Sequence, residues 1–218
     1  MGQRIVVITG ATGGLGTSVV EAFRKEGDEV VPVSRSGGEF RADLSRAEDA
    51  AALVRAVMGR FGRIDVLVHT TGGFAAGGTV AETGIDVWQR MMDINFHAAL
   101  NTIRAVLPPM IEANKGRIVA VGSRAGVQLS AGLGAYSVSK AALNALVQTV
   151  ALEVKDQGIT ANVVLPSTID TPANRSWGSS EQAAQWVTPA SIAGAIVWLA
   201  SHAAADVNGA LIPVFGRA

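Results

Sequence analysis

The chain has no cysteine among its 218 residues. Disulfides, thiolate nucleophiles and thiolate-held zinc or iron–sulfur centres are therefore excluded together. An excess of charge is missing too, because 18 basic residues balance 18 acidic ones. Without a net positive field to draw in a phosphate backbone or an anionic membrane, neither nucleic acid nor membrane is expected as a partner. No apolar run approaches the ~20 residues of a membrane helix. The run that begins at Ile5 stops at Thr9-Gly10 and is too short for a signal-peptide core. Gly2 does not open a myristoylation motif, since Val6 stands where serine or threonine is needed. A soluble, cytoplasmic protein is expected. Histidine is scarce, at 69, 97 and 202 only, and Asp93 with His97 supplies too few ligands, so no metal site is expected.

What is present is 49% hydrophobic residues against 17% charged ones, which excludes disorder and fits one domain over residues 1–218. Apolar, β-branched runs begin at Ile5, Val30, Val66, Ile118, Val163 and Leu211, each reading as a strand buried on both faces. Alanine-rich segments at helical spacing lie between most of them, at Ser45 to Phe61, Gly84 to Leu107, Ala135 to Gln157 and Thr188 to Ser201. This alternation implies a parallel sheet with helices on both faces. Ser45-Arg46-Ala47-Glu48 reads as a capping box. Thr188-Pro189 reads as an N-cap followed by proline at the first helical position, and Gly27 and Gly158 as helix stops. Only Arg35 to Gly38 separate the second strand from a third at Glu39 to Ala42, too few residues for the usual crossover helix. That helix is expected to be missing.

Thr9-Gly10-Ala11-Thr12-Gly13-Gly14-Leu15-Gly16 follows the first strand and opens a helix from about Gly14 to Glu26. Glycines there let backbone N–H groups approach a pyrophosphate, whose charge sits on the helix N-terminus. An ATP-type loop would need a lysine after Gly16, and Thr17 is there instead. A dinucleotide is favoured. Where the second strand ends, an acidic residue would bind the NAD ribose and an arginine the NADP 2′-phosphate. The residues there are Ser34-Arg35, which favours NADP(H) over NAD(H).

Tyr136 is the only tyrosine, and Lys140 lies four residues on, hence on the same helical face. Poising a phenol near pH 7 takes about 4 kcal/mol of preference for the phenolate, part of which an adjacent ammonium can supply. An ordinary packed tyrosine would fit that spacing equally well.

The glycine turn, together with Tyr136-Ser137-Val138-Ser139-Lys140 and the upstream Ser123, resembles the short-chain dehydrogenase/reductase family over nearly the whole chain. The resemblance implies a three-layer, doubly wound Rossmann fold with about seven mostly parallel strands. It further implies interconversion of a carbonyl and an alcohol on a small molecule by hydride transfer. In that reading Tyr136 is general acid/base, Lys140 lowers its pKa and binds ribose hydroxyls, Ser123 binds the carbonyl oxygen, and Asn95 holds a water of the proton relay. Thr9, Gly10, Thr12, Gly14, Leu15, Gly16, Ser34 and Arg35 would contact the cofactor. Asp43-Leu44 matches the pair at the adenine ring, Gly72 matches the cofactor-contacting glycine after the fourth strand, and Pro166, Ile169 and Thr171 match the nicotinamide loop. Two departures stand out. His69-Thr70-Thr71 replaces the usual Asn-Asn-Ala before Gly72, and Ser167 replaces the usual glycine after Pro166.

Substrate choice falls to Phe74 and Ala75, to Arg124 through Leu129, and to a polar segment at 172–187 containing Trp177 and Trp186, which reads as a lid. Arg124 and Arg175 are candidates for a carboxylate or phosphate on the substrate. The stretch from Leu165 to Arg175 is also similar to quinonoid dihydropteridine reductases, the alternative activity. A non-catalytic NADPH-binding sensor or scaffold is a second alternative. Trp88, Met91, Met92, Leu143, Leu146, Val150 and Leu152 put apolar surface on several faces of two helices. Pairing of those helices between subunits, as in the family, implies a homotetramer or homodimer.

Overall fold

A computed structural model describes residues 3–217. In chain order its elements are β1 (Ile5–Thr9), α1 (Gly16–Lys25), β2 (Glu29–Ser34), β3 (Phe40–Arg41), α2 (Ala47–Phe61), β4 (Val66–His69), α3 (Ile85–Met92), α4 (Ala98–Glu112), β5 (Gly116–Val121), α5 (Gly134–Glu153), β6 (Ile159–Pro166), α6 (Pro172–Arg175), α7 (Ser180–Ala183), α8 (Pro189–Leu199) and β7 (Leu211–Val214). A π-helical turn, Asp93–His97, joins α3 to α4. The strands form one seven-stranded sheet in the order β3-β2-β1-β4-β5-β6-β7, with every neighbouring pair parallel. The fold is the doubly wound one expected from the sequence.

Side-chain alternation along the strands explains the three layers. Ile5 and Val7 of β1 face a core shared with α2, α4 and α5, including Val57, Ile103, Met110, Leu143 and Val147. Val6 and Ile8 face the other way, onto Val19 and Phe23 of α1 and Ile192, Ile196 and Leu199 of α8. Each such side chain, fully withdrawn from water, contributes roughly 1.5–3 kcal/mol. Strand order reverses between β1 and β4, and the carboxyl ends on either side of that switch point open the crevice where ligands bind in such sheets.

Several local expectations hold. β3 is two residues long and no helix separates it from β2. Thr188 Oγ1 accepts from Ser191 N with Pro189 beginning α8, and Gly27 adopts φ 81° just past α1.

Others are corrected. The capping box does not form, because Ser45 Oγ donates to Asp43 Oδ1 at 2.7 Å and α2 begins later, after Arg46. The segment read as one helix from Gly84 to Leu107 is interrupted by the π turn and runs on to Glu112 through Pro108 and Pro109. A proline inside a helix costs about 3 kcal/mol. Full burial of Val106 and Met110 on either side of the pair offsets it. α5 stops at Glu153, so Gly158, at φ 63°, ends the turn that follows and not the helix itself. β7 is an edge strand and only partly buried, with exposed Pro213 where a ladder donor is dispensable.

Among the described residues, no helix is long and apolar enough to cross a membrane.

Candidate active site

The site sits at the carboxyl ends of β1, β4, β5 and β6. After β1 the chain turns through Gly10 at φ 68°, and a Cβ there would lie 2.8 Å from Thr70 Oγ1. Gly16 is equally constrained, since a Cβ on it would sit 2.1 Å from the Gly10 carbonyl oxygen. The turn is thus folded tightly against α1. No side chain caps the N-terminus of α1, where Thr17 N turns back to Gly13 O at 3.2 Å, and the uncapped positive end of the helix favours an anion. Gly14 approaches the loop after β6, where a Cβ would be 2.8 Å from Thr171 Cγ2. A dinucleotide pyrophosphate fits this arrangement.

Where β2 ends, Ser34 and exposed Thr12 line a cavity of about 300 Å³ together with Gly37 and Gly38. The Ser34 hydroxyl is engaged locally, donating to Gly37 O at 2.6 Å and accepting from Gly37 N at 3.0 Å. Arg35 is exposed. Its charge reaches Asp43, whose carboxyl is held below the ordinary carboxylate range mainly by the Ser45 hydroxyl, with Arg35 and Arg46 adding to the effect. Leu44 is buried beside them.

The reactive side is built differently. Ser123, Tyr136 and Lys140 line one cavity of about 480 Å³, with Leu15, Gly72, Pro166, Ile169 and Thr171 on its other walls. Ser123 leaves β5 in extended conformation, and its Oγ accepts from Ala125 N, which starts a short 3-10 turn at Arg124–Gly126. Tyr136, half-buried on the first turn of α5, packs edge-on against Phe74, with ring centroids 5.0 Å apart and planes at 76°. Burial pushes its phenol pKa up, while a hydrogen bond with Ser123 pulls it down. Lys140 is buried, donates from Nζ to Val121 O at 2.9 Å, and is lowered to about 8 by loss of solvent. For Tyr136 the upward push of burial outweighs the downward pull of Ser123.

Asn95 lies in the π turn, wholly buried. Its Oδ1 accepts from Gly73 N at 2.9 Å, and its Nδ2 donates to Gly73 O at 3.1 Å and to Ser139 Oγ at 3.0 Å. Ser139 Oγ in turn donates to Tyr136 O at 2.7 Å. A network of short bonds therefore ties the loop after β4 to the helix that carries Tyr136. Gly72 is needed at this junction, because a Cβ on it would lie 2.9 Å from Asn95 Oδ1 and 3.2 Å from Lys140 Nζ.

Of the two departures from the family pattern, Ser167 finds a partner, and His69 finds one for Nδ1 while its buried Nε2 has none. His69, fully buried, lies with Nδ1 3.1 Å from Thr9 Oγ1, and burial holds its pKa at about 3, so the ring is neutral. Thr9 is accordingly occupied inside the sheet and turned away from the cavity. Ser167 Oγ donates to Phe215 O at 2.6 Å, tying the loop after β6 to the segment after β7. That second contact was missed from sequence, because 48 residues separate its partners. Leu133 and Ser130 also line the cavity unannounced. The only sequence signal for them is proximity to Tyr136.

The chain's similarities agree with this geometry. Residues 4–182 match the family model described as short chain dehydrogenase. The chain belongs to that family. It is 30% identical to 2-(R)-hydroxypropyl-CoM dehydrogenase of Xanthobacter autotrophicus, the match covering 98% of each chain. Among solved structures it resembles an oxidoreductase of the short chain dehydrogenase/reductase family from Burkholderia thailandensis, at 33% identity and TM-score 0.88, covering 99% of this chain and 92% of that one. ElxO with NADP bound shares the fold at TM-score 0.94 and 23% identity, over 99% and 98% of the two chains.

Proposed function

We propose that this short-chain dehydrogenase is an NADP(H)-dependent oxidoreductase that interconverts a carbonyl and an alcohol on a small molecule. The observation that carries the reading is the convergence of Ser123, Tyr136 and Lys140 on one cavity beside the glycine turn. NADPH, when bound, supplies the hydride for the carbonyl carbon. The Ser123 hydroxyl donates to the carbonyl oxygen and orients it, and the Tyr136 phenol delivers a proton to that oxygen as its negative charge develops. Lys140, held by Val121 O, places an ammonium behind the tyrosine and has hydrogens left for ribose hydroxyls. Asn95 positions the Gly73 loop against α5. The N–H groups of the Gly10 to Gly16 turn take the pyrophosphate, with Thr12 and Ser34 beside the adenosine and Asp43 and Leu44 near the base. Arg35, with no carboxylate in its place, pairs with the 2′-phosphate, and the fold of ElxO accommodates NADP. Pro166, Ile169 and Thr171 hold the nicotinamide end, and residues 172–187 cover it as a lid. Within that segment Trp177 and Trp186 pack with centroids 5.3 Å apart.

We further infer a homodimer or homotetramer. Met91, Leu143 and Val150 are buried within the subunit, but Ile85 and Leu152 are 83% and 73% exposed on helices that such pairing would cover. Light scattering at a multiple of 22.4 kDa is the expected result. For the activity, the test is oxidation of NADPH and NADH by wild type and Tyr136→Phe against ketones, aldehydes, quinones and a quinonoid dihydropterin. Turnover that prefers NADPH and depends on Tyr136 is expected, and full turnover by the variant would refute the assignment.

A further inference from the structure

The two arginines near the cleft have different surroundings. Arg175 is already neutralised, its guanidinium Nη2 donating to Asp170 Oδ2 at 2.7 Å while Nε reaches the other carboxylate oxygen. Arg124 follows Ser123 directly, is half-buried and lines the 480 Å³ cavity. Among the described residues it enters no ion pair. Its guanidinium carbon lies 5.6 Å from the centre of the Phe215 ring, and Phe215 is anchored through its carbonyl by Ser167. The cation is thus held on a built surface inside the cleft. The cavity wall contains a second cation, Lys140, and no aspartate or glutamate. A guanidinium partly withdrawn from water without a counter-ion is unfavourable until an oxyanion arrives, and its planar fork suits a carboxylate. Phe74 and Trp177, 64% and 63% exposed, offer apolar surface on the same cavity.

We propose that Arg124 binds a carboxylate on the substrate, making this enzyme a reductase of oxo-acids, or in reverse an NADP⁺-dependent dehydrogenase of the matching hydroxy-acids, that carry an apolar or aromatic body. The proposal rests on the carbonyl–alcohol reading above and adds the substrate class to it. The direct test needs no turnover. Phenylacetate and phenylacetamide are titrated calorimetrically into wild type, Arg124→Met and Arg124→Lys, each in the presence of NADP⁺. The acid is expected to bind wild type about 10- to 100-fold more tightly than the amide, the worth of a charged hydrogen bond. Arg124→Met should erase that ratio and Arg124→Lys restore part of it, with NADP⁺ affinity unchanged in both. Equal binding of acid and amide by wild type, binding of neither, or a ratio that survives in Arg124→Met overturns the proposal. A variant that loses NADP⁺ affinity and keeps the ratio would reassign Arg124 to the cofactor. The turnover arm uses phenylpyruvate and its methyl ester. Arg124-dependent binding of phenylacetate with no carbonyl compound reduced would leave the anion site standing and remove the reductase reading. Reduction of acid and ester alike, with or without Arg124, would do the reverse.

Discussion

The two halves of the cleft are held by different physics. On the reactive side Asn95, Ser139 and Lys140 are buried and joined by hydrogen bonds of 2.7 to 3.1 Å to backbone and to one another. On the adenosine side the sheet ends in a two-residue strand, Arg35 and Arg41 are exposed, and Ser34 closes only its own turn. Geometry there is set by local bonds and charge in water, where interactions are screened. On the function proposed above, chemistry would be fixed by packing, and cofactor choice left to surface charge that can change at little structural expense.

The sharpest way to separate the halves is Tyr136→Phe. Loss of the proton donor is expected to lower kcat by about 10²- to 10⁴-fold, with NADPH affinity by fluorescence titration retained. Arg35→Asp should act only on the other half, moving the NADPH-to-NADH preference in kcat/KM toward NADH by about 10-fold or more. Because Arg35 is exposed, the wild-type preference should also shrink as salt rises, while the kcat with saturating cofactor does not. A preference independent of salt would mean that the 2′-phosphate is read by something buried.

Beneath the reactive half, His69 gives a pH signature. Its pKa is about 3 when folded against 6.5 ordinarily, so between those values the unfolded chain binds the extra proton. Stability from this group is complete above about 6.5 and is lost as pH falls toward 3. Urea melts of His69→Asn should therefore show a shallower acid loss than wild type, and parallel curves would contradict a buried neutral ring. The smallest effect is expected at Ser45→Ala, on the exposed side, which should cost about 0.5 kcal/mol or less in urea melts and let the Asp43 pKa rise.

The same division governed what the sequence could tell. Strands of valine and isoleucine buried on both faces announce themselves by composition, and helices between most of them imply a parallel sheet, whereas the strand order is a finding of the structure. The short connection before β3 was legible from loop length alone. Local polar competition was not. Ser45 had two available partners, the helix end and Asp43, and nothing in Ser45-Arg46-Ala47-Glu48 says that Asp43 wins. The helical segment was ended at Leu107, and its continuation through Pro108 and Pro109 was not legible because the burial of Val106 and Met110 is a tertiary fact. In the site, Tyr136, Lys140, Ser123 and Gly72 were found through motif spacing and are brought together. Thr9 was read as a cofactor contact, and as the last residue of β1 it is buried in the sheet with Oγ1 3.1 Å from His69 Nδ1. The contact of Arg124 with Phe215 spans 91 residues of sequence and leaves no local trace.

The π turn at Asp93–His97 has a consequence for how a gene encoding this chain can change in length. A π turn holds one residue more than an α-helical turn would need. Deleting a single codon inside that turn would restore regular helix and keep α3 and α4 in register, whereas deleting one from the first turn of α4 would rotate everything on one side by about 100°. Asn95 could not then face Gly73 and Ser139 while α4 kept Ile103, Val106 and Met110 against the sheet. Outside the π turn this helix therefore tolerates substitution more readily than insertion or deletion, and in descendants of this gene length variation belongs in the 172–187 segment.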